Sequence, residues 1–529
     1  MSTEADILII GGGTAGLVLA ARLATDPTPE ILVLEAGQDQ TADPRNFTTV
    51  PQTELGGNEL SYPAGRLLGG TSAMNGQVLI ANSKANIDAW GKLGNPGWDW
   101  ETLRPYYQRA YTLSLPGKEK RKELGLDYAS FPDRLDDPVA NAWVETFKRL
   151  GSFIPADPFS GTAIGGYTNA ATIDPVTKTR SYSGNAYYLP VKELPNLRVT
   201  TGTLVTKLLF DTDGDVTVTG AQYIKEGASY TVNARKEVIL SAGVFNSPKI
   251  LELSGIGSDH PFVPVWFEVQ SFVQTKDKFM RGNNAAIAAS MEDYKSRQFG
   301  TFTVGGNYSG ALLSLPDSHE ADTLLDLIPA SNTSTNTAED DIAAYTRSLL
   351  SSPPKQQPPT SRNFLTIGVG LVSPLSTGSS HITSSDPSTP PAIDPRYLTH
   401  PLDIETLARH LRYAETIRTS EPLASMLKPD GLRTPDAPAD FRTASLESIK
   451  TYVRSRAKSL FHPSGTCAMM PREKGGVVDA RFRVWGVNRL RVVDASVFPI
   501  IPRANLQSSV YAVAERAVDV IKEDLALAG

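Results

Sequence analysis

The residues best suited to chemistry lie near opposite ends of the chain. Close to the start, Gly11-Gly-Gly13-Thr14-Ala15-Gly16 follows the apolar run Ile7–Ile10 and precedes the stripe Leu17, Ala20, Ala21, Leu23. Glycines at this spacing are weak evidence alone, but a buried strand before them and a helix after them give each one a mechanical reason. Gly11 permits a tight turn, Gly13 lets a pyrophosphate approach the backbone, and Gly16 lets the helix pack closely on the strand. The pyrophosphate then rests on the positive helix N-terminus, where Thr14 and Ala15 open the first turn. A second apolar run, Ile31–Leu34, ends at Glu35-Ala36, which places Glu35 to accept hydrogen bonds from an adenosine ribose. Near the other end stands His462-Pro463, with Asn505 43 residues further on. An imidazole titrates near neutrality and can accept a proton; taken alone, a His-Pro pair is more often a satisfied loop histidine.

Other chemistries find less support. The remaining histidines, His260, His319, His381, His400 and His410, show no metal-ligand spacing. The single cysteine, Cys467, excludes an intramolecular disulfide and reads as a small buried residue. No Gly-x-Ser-x-Gly elbow sits where a hydrolase needs it. A net charge of −6 argues against a nucleic-acid footprint, and the one basic cluster, Lys118–Lys122, reads as a solvated helix face. No apolar stretch reaches membrane length and none at the start resembles a signal peptide, so the expectation is a cytoplasmic protein without a membrane span.

These residues need elements to hold them. At 529 residues the chain is long enough for two or three domains, or for one enzyme with an insertion. The start reads as strand, turn, helix, strand. Leu204–Leu240 reads as hairpin-like, with Asp211–Gly214 as a turn. Ser351–Pro391 is dense in Pro, Ser and Thr and reads as long surface loops. Patterning returns at the end, with Leu490–Val493 as a strand and Val510, Val513, Ala514, Ala517 and Ile521 as a helical stripe. The fold class read from this is α/β (α+β overall): a Rossmann-like dinucleotide domain built from distant segments, with a substrate domain containing an antiparallel sheet inserted.

Two internal stretches identify a family. Gly65-Arg-Leu-Leu-Gly-Gly-Thr-Ser-Ala-Met-Asn-Gly76 resembles the first signature of the glucose–methanol–choline oxidoreductases, and Ser241–Gly257 resembles the second. Phe461-His-Pro-Ser-Gly-Thr-Cys467 and Leu490–Ser496 resemble the C-terminal block, closest in pattern to aryl-alcohol oxidase-like members. The resemblance implies FAD, wrapped by the loop Gly69, Gly70, Thr71, Ser72, Asn75, Gly76, Gln77 and Val78. It also implies cofactor contacts from Val205, Asp494, Ala495, Leu506 and Gln507, and a catalytic pair, His462 and Asn505. Met74 stands where some members carry a histidine bonded to the flavin, so FAD is expected to be noncovalent. Only one dinucleotide finger is present, which favours a flavin reduced directly by its substrate over one reduced by NAD(P)H.

The boundaries implied are 1–257 for the N-terminal FAD-binding region, 258–455 mainly for substrate binding, and 456–529 for a segment returning to the FAD domain with the catalytic pair. Three stretches, near residues 50, 128 and 258, are shorter than the family pattern. The expected activity is oxidation of a small-molecule alcohol, a primary one with a lean towards aromatic carbinols, with O2 or a quinone-like compound as electron acceptor. Two alternatives stand beside it: a FAD-containing lyase or cyclase, and an impaired member with shortened cofactor-lid segments.

Overall fold

A computed structural model describes residues 4–38, 43–80, 82–114, 127–130, 137–152, 160–161, 165–211, 213–251, 255–257, 261–268, 309–314, 343–348, 364–503 and 505–527. The first elements follow the apolar runs. Strand β1 (Glu4–Ile10) leads into helix α1 (Thr14–Leu23) and strand β2 (Ile31–Leu34). Ile7–Ile10 and all of β2 are buried, as strands covered on both faces must be. Helix α1 buries nearly its whole circumference, which marks an internal helix rather than an amphipathic surface one.

A seven-stranded sheet runs in the order Leu197–Thr200, β2, β1, Ala228–Leu240, Thr217–Lys225, Thr203–Asp211. The long strand Ala228–Leu240 has two roles. Its first half pairs antiparallel with Thr217–Lys225, completing the expected hairpin region. Its second half runs parallel to β1, and Leu490–Val492 pairs with it in parallel at residues 238–240. A segment from far along the chain thereby joins the N-terminal sheet. Helix Gln507–Leu527 packs against α1 and against helix Trp100–Ala110, burying Val513, Ala514, Ala517 and Ile521 while Val510 stays partly buried.

A second, wholly antiparallel sheet runs Lys458–Ser459, Pro261–Glu268, Phe364–Leu371, Ala343–Ser348, Ser309–Ser314, Gly165–Thr168. Ile367, Val369 and Leu371 form a separate core with Leu407 and Leu411 of helix Pro401–Arg418 and Ile449 and Val453 of helix Leu446–Arg456. This corrects the reading of Ser351–Pro391 as surface loops. Within that stretch Phe364–Leu371 is a buried strand, because a short apolar run is hidden when composition is averaged over a Pro- and Ser-rich window. The Lys118–Lys122 run lies outside the described residues. Near residue 50, the stretch connects two paired strands, Asp43–Thr48 and Ser61–Arg66.

The returning segment is locked by charge as well as by sheet bonds. Arg491, 3% exposed, donates to Glu237 (3.1 Å), to Asp524 (2.7 Å) and to the carbonyl of Arg481 (2.7 Å). Burial pushes the Glu237 carboxyl above its usual range despite the neighbouring guanidinium. Replacing Arg491 by Met leaves a buried carboxylate uncompensated, a loss of about 3–5 kcal/mol. Ionising a group with a raised native pKa lowers stability as pH rises, so the deficit grows from pH 4 to pH 8. Urea unfolding of the cofactor-free protein at both pH values measures this; a deficit independent of pH would contradict the assignment.

Candidate active site

The glycine finger has the geometry of a cradle. Gly11 adopts φ +108°, and a Cβ there would strike the carbonyl of Ser241; a Cβ on Gly16 would strike the carbonyl of Gly11. Gly13 differs: its backbone is extended (φ −83°, ψ −160°), and its nearest neighbour to an added Cβ would be 3.9 Å away. Neither backbone strain nor protein packing requires glycine at this position. No side chain caps the start of α1, and its first turn carries no acidic residue, so the amides there present the positive end of the helix.

Glu35 is buried, and burial raises its carboxyl pKa. Its two oxygens accept from the backbone amides of Gly12 (2.8 Å) and Gly37 (2.7 Å), and each oxygen keeps a further acceptor site. The carbonyl of Glu35 accepts from the Thr203 amide at 2.8 Å, which brings the strand carrying Val205 beside it. The Val205 side chain itself lies in the core. Ala36 offers its carbonyl to Arg66 at 3.3 Å.

The Gly69–Val78 loop folds over this cradle. The Gly69 amide donates to the Gly12 carbonyl at 2.8 Å, and a Cβ on Gly70 would lie 2.8 Å from Cα of Gly13. The Ser72 hydroxyl donates to the Gly69 carbonyl (2.6 Å) and meets Ser183 (3.2 Å). Thr71 and Gly76 are exposed, and the Thr71 hydroxyl accepts from the Gly65 amide. Further along, Asn75 donates to Gln507 (2.9 Å), and Gln507 donates to the Val78 carbonyl (2.7 Å). Gln77 takes φ +62° and donates its amide to the Asn75 side chain.

Gln507 begins the last helix, two residues after Asn505, and Leu506 between them is buried in the main core. Asn505 Nδ2 and His462 Nε2 stand 3.1 Å apart. An amide nitrogen only donates, so in this pairing Nε2 is the unprotonated ring nitrogen, the state a base requires. The histidine segment is held in place by a short ladder: the amides of Gly465, Cys467 and Met469 donate to the carbonyls of Ala495, Ser496 and Val497. Asp494, just before that turn, accepts from the Gly243 amide (2.9 Å), the Ser247 hydroxyl (2.6 Å) and the Ser496 amide (2.8 Å).

The two expected ends of the site are therefore distinct. Gly11–Gly16, Glu35 and the Val205 strand gather at one end, His462 and Asn505 at the other, with Gly69–Val78, Leu506 and Gln507 between. Sequence reading missed Arg180 and Ser183, because each bonds to partners far away in sequence and neither lies in a recognisable spacing; Ser247 lies within the second signature but is not singled out by it. Of the other histidines, His400 caps helix Pro401–Arg418 and His410 is buried against the Thr406 carbonyl; His260 and His319 lie outside the described residues. Burial pushes the Cys467 thiol up and leaves it inert. Among the described residues no group of acidic, His or Cys side chains could hold a metal ion, and no helix is long and apolar enough to cross a membrane.

Comparison with known proteins agrees with this architecture. Family models described as GMC oxidoreductase match residues 5–271 and 374–514. A dehydrogenase of Armillaria gallica is 32% identical, over 99% of this chain and 94% of its own. Versicolorin B synthase of Aspergillus parasiticus is 28% identical, over 97% of this chain and 87% of its own. The solved structure of a fungal aryl-alcohol oxidase superposes with a TM-score of 0.83 over 99% of this chain and all of its own, at 24% identity, and so shares the fold. The chain belongs to the GMC oxidoreductases, a family of FAD-dependent flavoproteins.

Proposed function

We propose that the protein oxidises a primary alcohol, with a lean towards aromatic carbinols, by hydride transfer to a noncovalently held FAD, with His462 as general base. The observation that carries the reading is the His462–Asn505 pair, 3.1 Å apart, at the far end of a loop system that begins on a dinucleotide cradle. Its residues suit the cofactor: Gly13 is a glycine where only something outside the protein calls for one, and it faces uncapped helix amides. The loop Gly69–Val78 contains no His, Cys or Tyr that could bond covalently to a flavin, and Met74 stands at the family's anchoring position. When bound, FAD supplies a two-electron acceptor that no side chain can provide.

The chain's residues supply the rest. A carbinol hydroxyl that takes the place of the direct His462–Asn505 contact gives its proton to Nε2 of His462. Asn505 donates to the oxygen as negative charge grows there and holds its orientation. Positioned bases of this kind contribute ~10²–10⁴-fold. The lean towards aromatic substrates rests on Phe461, which precedes the base and is 55% exposed with φ +61°, and on the aryl-alcohol oxidase-like pattern. A single dinucleotide finger supports O2 or a quinone-like compound as acceptor in preference to a nicotinamide. A second reading, acid–base work by His462 with FAD retained as scaffold, draws support from the similarity to a synthase. Anaerobic mixing with a panel of alcohols separates the two: bleaching of the flavin supports oxidation, and an unchanged spectrum with every alcohol favours the second reading.

Two substitutions probe the cradle. Gly13→Ala should fold with the thermal stability of the wild-type apoprotein yet bind FAD at least about tenfold more weakly, because its Cβ meets the ligand and not the protein. Gly16→Ala, whose Cβ meets the Gly11 carbonyl, should lower stability as well. FAD titration and thermal melting read both; equal melting losses for the pair would refute the distinction.

At the other end, His462→Ala should keep its FAD and lose flavin reduction by ~10²–10⁴-fold. Asn505→Ala should lose less, because one polarising donor is worth roughly 2.7–4 kcal/mol at most and water replaces part of it. Single-turnover bleaching over pH 6 to 8 is the measurement. A His462→Ala rate equal to wild type would end the base assignment.

A further inference from the structure

Between the glycine cradle and the His462–Asn505 pair lies Arg180, a half-buried guanidinium. One of its terminal nitrogens donates to Asn75 Oδ1 at 2.9 Å and, at 3.4 Å, to the carbonyl of Ser72. Among the described residues no carboxylate pairs with it. Its neighbours in electrostatic terms are the phenols of Tyr182 and Tyr511, and burial lowers its basicity. The backbone around it is fixed: Arg180 bridges to Ile173 across a small hairpin, the Ser181 amide donates to the Thr172 carbonyl, and Asn185 donates to the Arg180 carbonyl.

A guanidinium donates and never accepts. Its bond to Asn75 Oδ1, alongside that of the Gln77 amide, fixes which way that amide faces, and Asn75 Nδ2 is left to donate to Gln507 Oε1. Gln507 is oriented in turn, with Nε2 towards the Val78 carbonyl. Together with the Gln77 amide, which donates to the same Asn75 oxygen, and the Val78 carbonyl, this cation fixes the polarity of two amides that span the gap between the Gly69–Val78 loop and the start of the last helix.

We propose that Arg180 is a positioning residue for the reactive end of the flavin, orienting Asn75 and Gln507 and placing an unneutralised positive charge beside the ring. This rests on FAD occupying the cradle as proposed above. The charge has a chemical use. In alcohol oxidation the hydroxyl proton goes to His462, and the carbon gives up its hydrogen with both bonding electrons. An uncharged oxidised ring that receives a hydride gains one negative charge, and a cation nearby favours that outcome. Across a half-buried site with an effective dielectric near ~20, one charge at a few ångströms is worth more than a factor of ten.

The test uses purified, FAD-loaded protein and measures the two-electron midpoint potential of the flavin in wild type, Arg180→Met and Arg180→Lys. Arg180→Met should shift the reduction equilibrium roughly tenfold towards the oxidised form, about 30 mV for a two-electron couple. Arg180→Lys, which keeps the charge, should recover most of that shift. A purely structural role would leave the potential unchanged in both, or displace it equally in both, and either result overturns the inference. Should Arg180→Met fail to fold, Arg180→Gln keeps a donor for Asn75 without the charge; a wild-type potential in that variant overturns the inference equally. Wild-type protein that takes up no FAD removes the parent reading and this one with it, whereas yellow wild-type protein with an unshifted Met variant removes this one alone.

Discussion

Ser241 stands where three distant segments cross, and the site depends on how closely they approach. Its amide donates to the carbonyl of Ile10 at the end of β1, and its hydroxyl donates to the carbonyl of Val493, each at 2.8 Å. Its own carbonyl occupies the space that a side chain on Gly11 would fill. The glycine at that turn is thus as much a requirement of this crossing as of any ligand. Because Val493 is held here, Asp494 falls beside Gly243 and Ser247, and Ala495–Val497 is presented to the segment that carries His462. The segment that carries His462 is positioned by a chain of backbone contacts that starts at the first strand.

The electrostatics follow the same division. At the cradle, uncapped amides of α1 provide positive field, and the one nearby carboxylate, Glu35, is already engaged by two backbone amides. It can take further hydrogen bonds as an acceptor without opposing a bound diphosphate as a bare charge would. Other buried charges are structural. Glu515 is fully buried but answers Arg22 and Tyr187, and the Arg491 cluster ties the returning segment down. These charges tie distant segments together.

Much of this was legible in the sequence, for physical reasons that differ by element. β1, α1 and β2 are local and buried, so their periodicity and glycine spacing survive without knowledge of partners. The hairpin region before Leu240 and the last helix were legible in the same way. The strand Phe364–Leu371 was not, because its neighbours in sequence are loop-forming and its pairing partners lie far along the chain. At the site, the glycines, Glu35 and His462 stood out through spacing or family pattern. Arg180 did not, since a lone arginine in a turn-rich stretch is defined only by the amide it meets in space.

The double use of strand Ala228–Leu240 bears on how the molecule comes into being. Its first half is complete once the local hairpin forms, but its second half awaits Leu490–Val492, and α1 awaits a helix whose Glu515 is 493 residues from its partner Arg22. Contacts of such separation close late, because the loop entropy must be spent before they stabilise anything. A nascent chain therefore carries a hydrophobic sheet edge and the bare flank of α1 until Leu490–Val492 and the helix with Glu515 have left the ribosome. Such surfaces are the ones that aggregate or recruit chaperones. Assembly of the His462–Asn505 end and completion of the main core are one event, so a chain cut before residue 490 is left with neither.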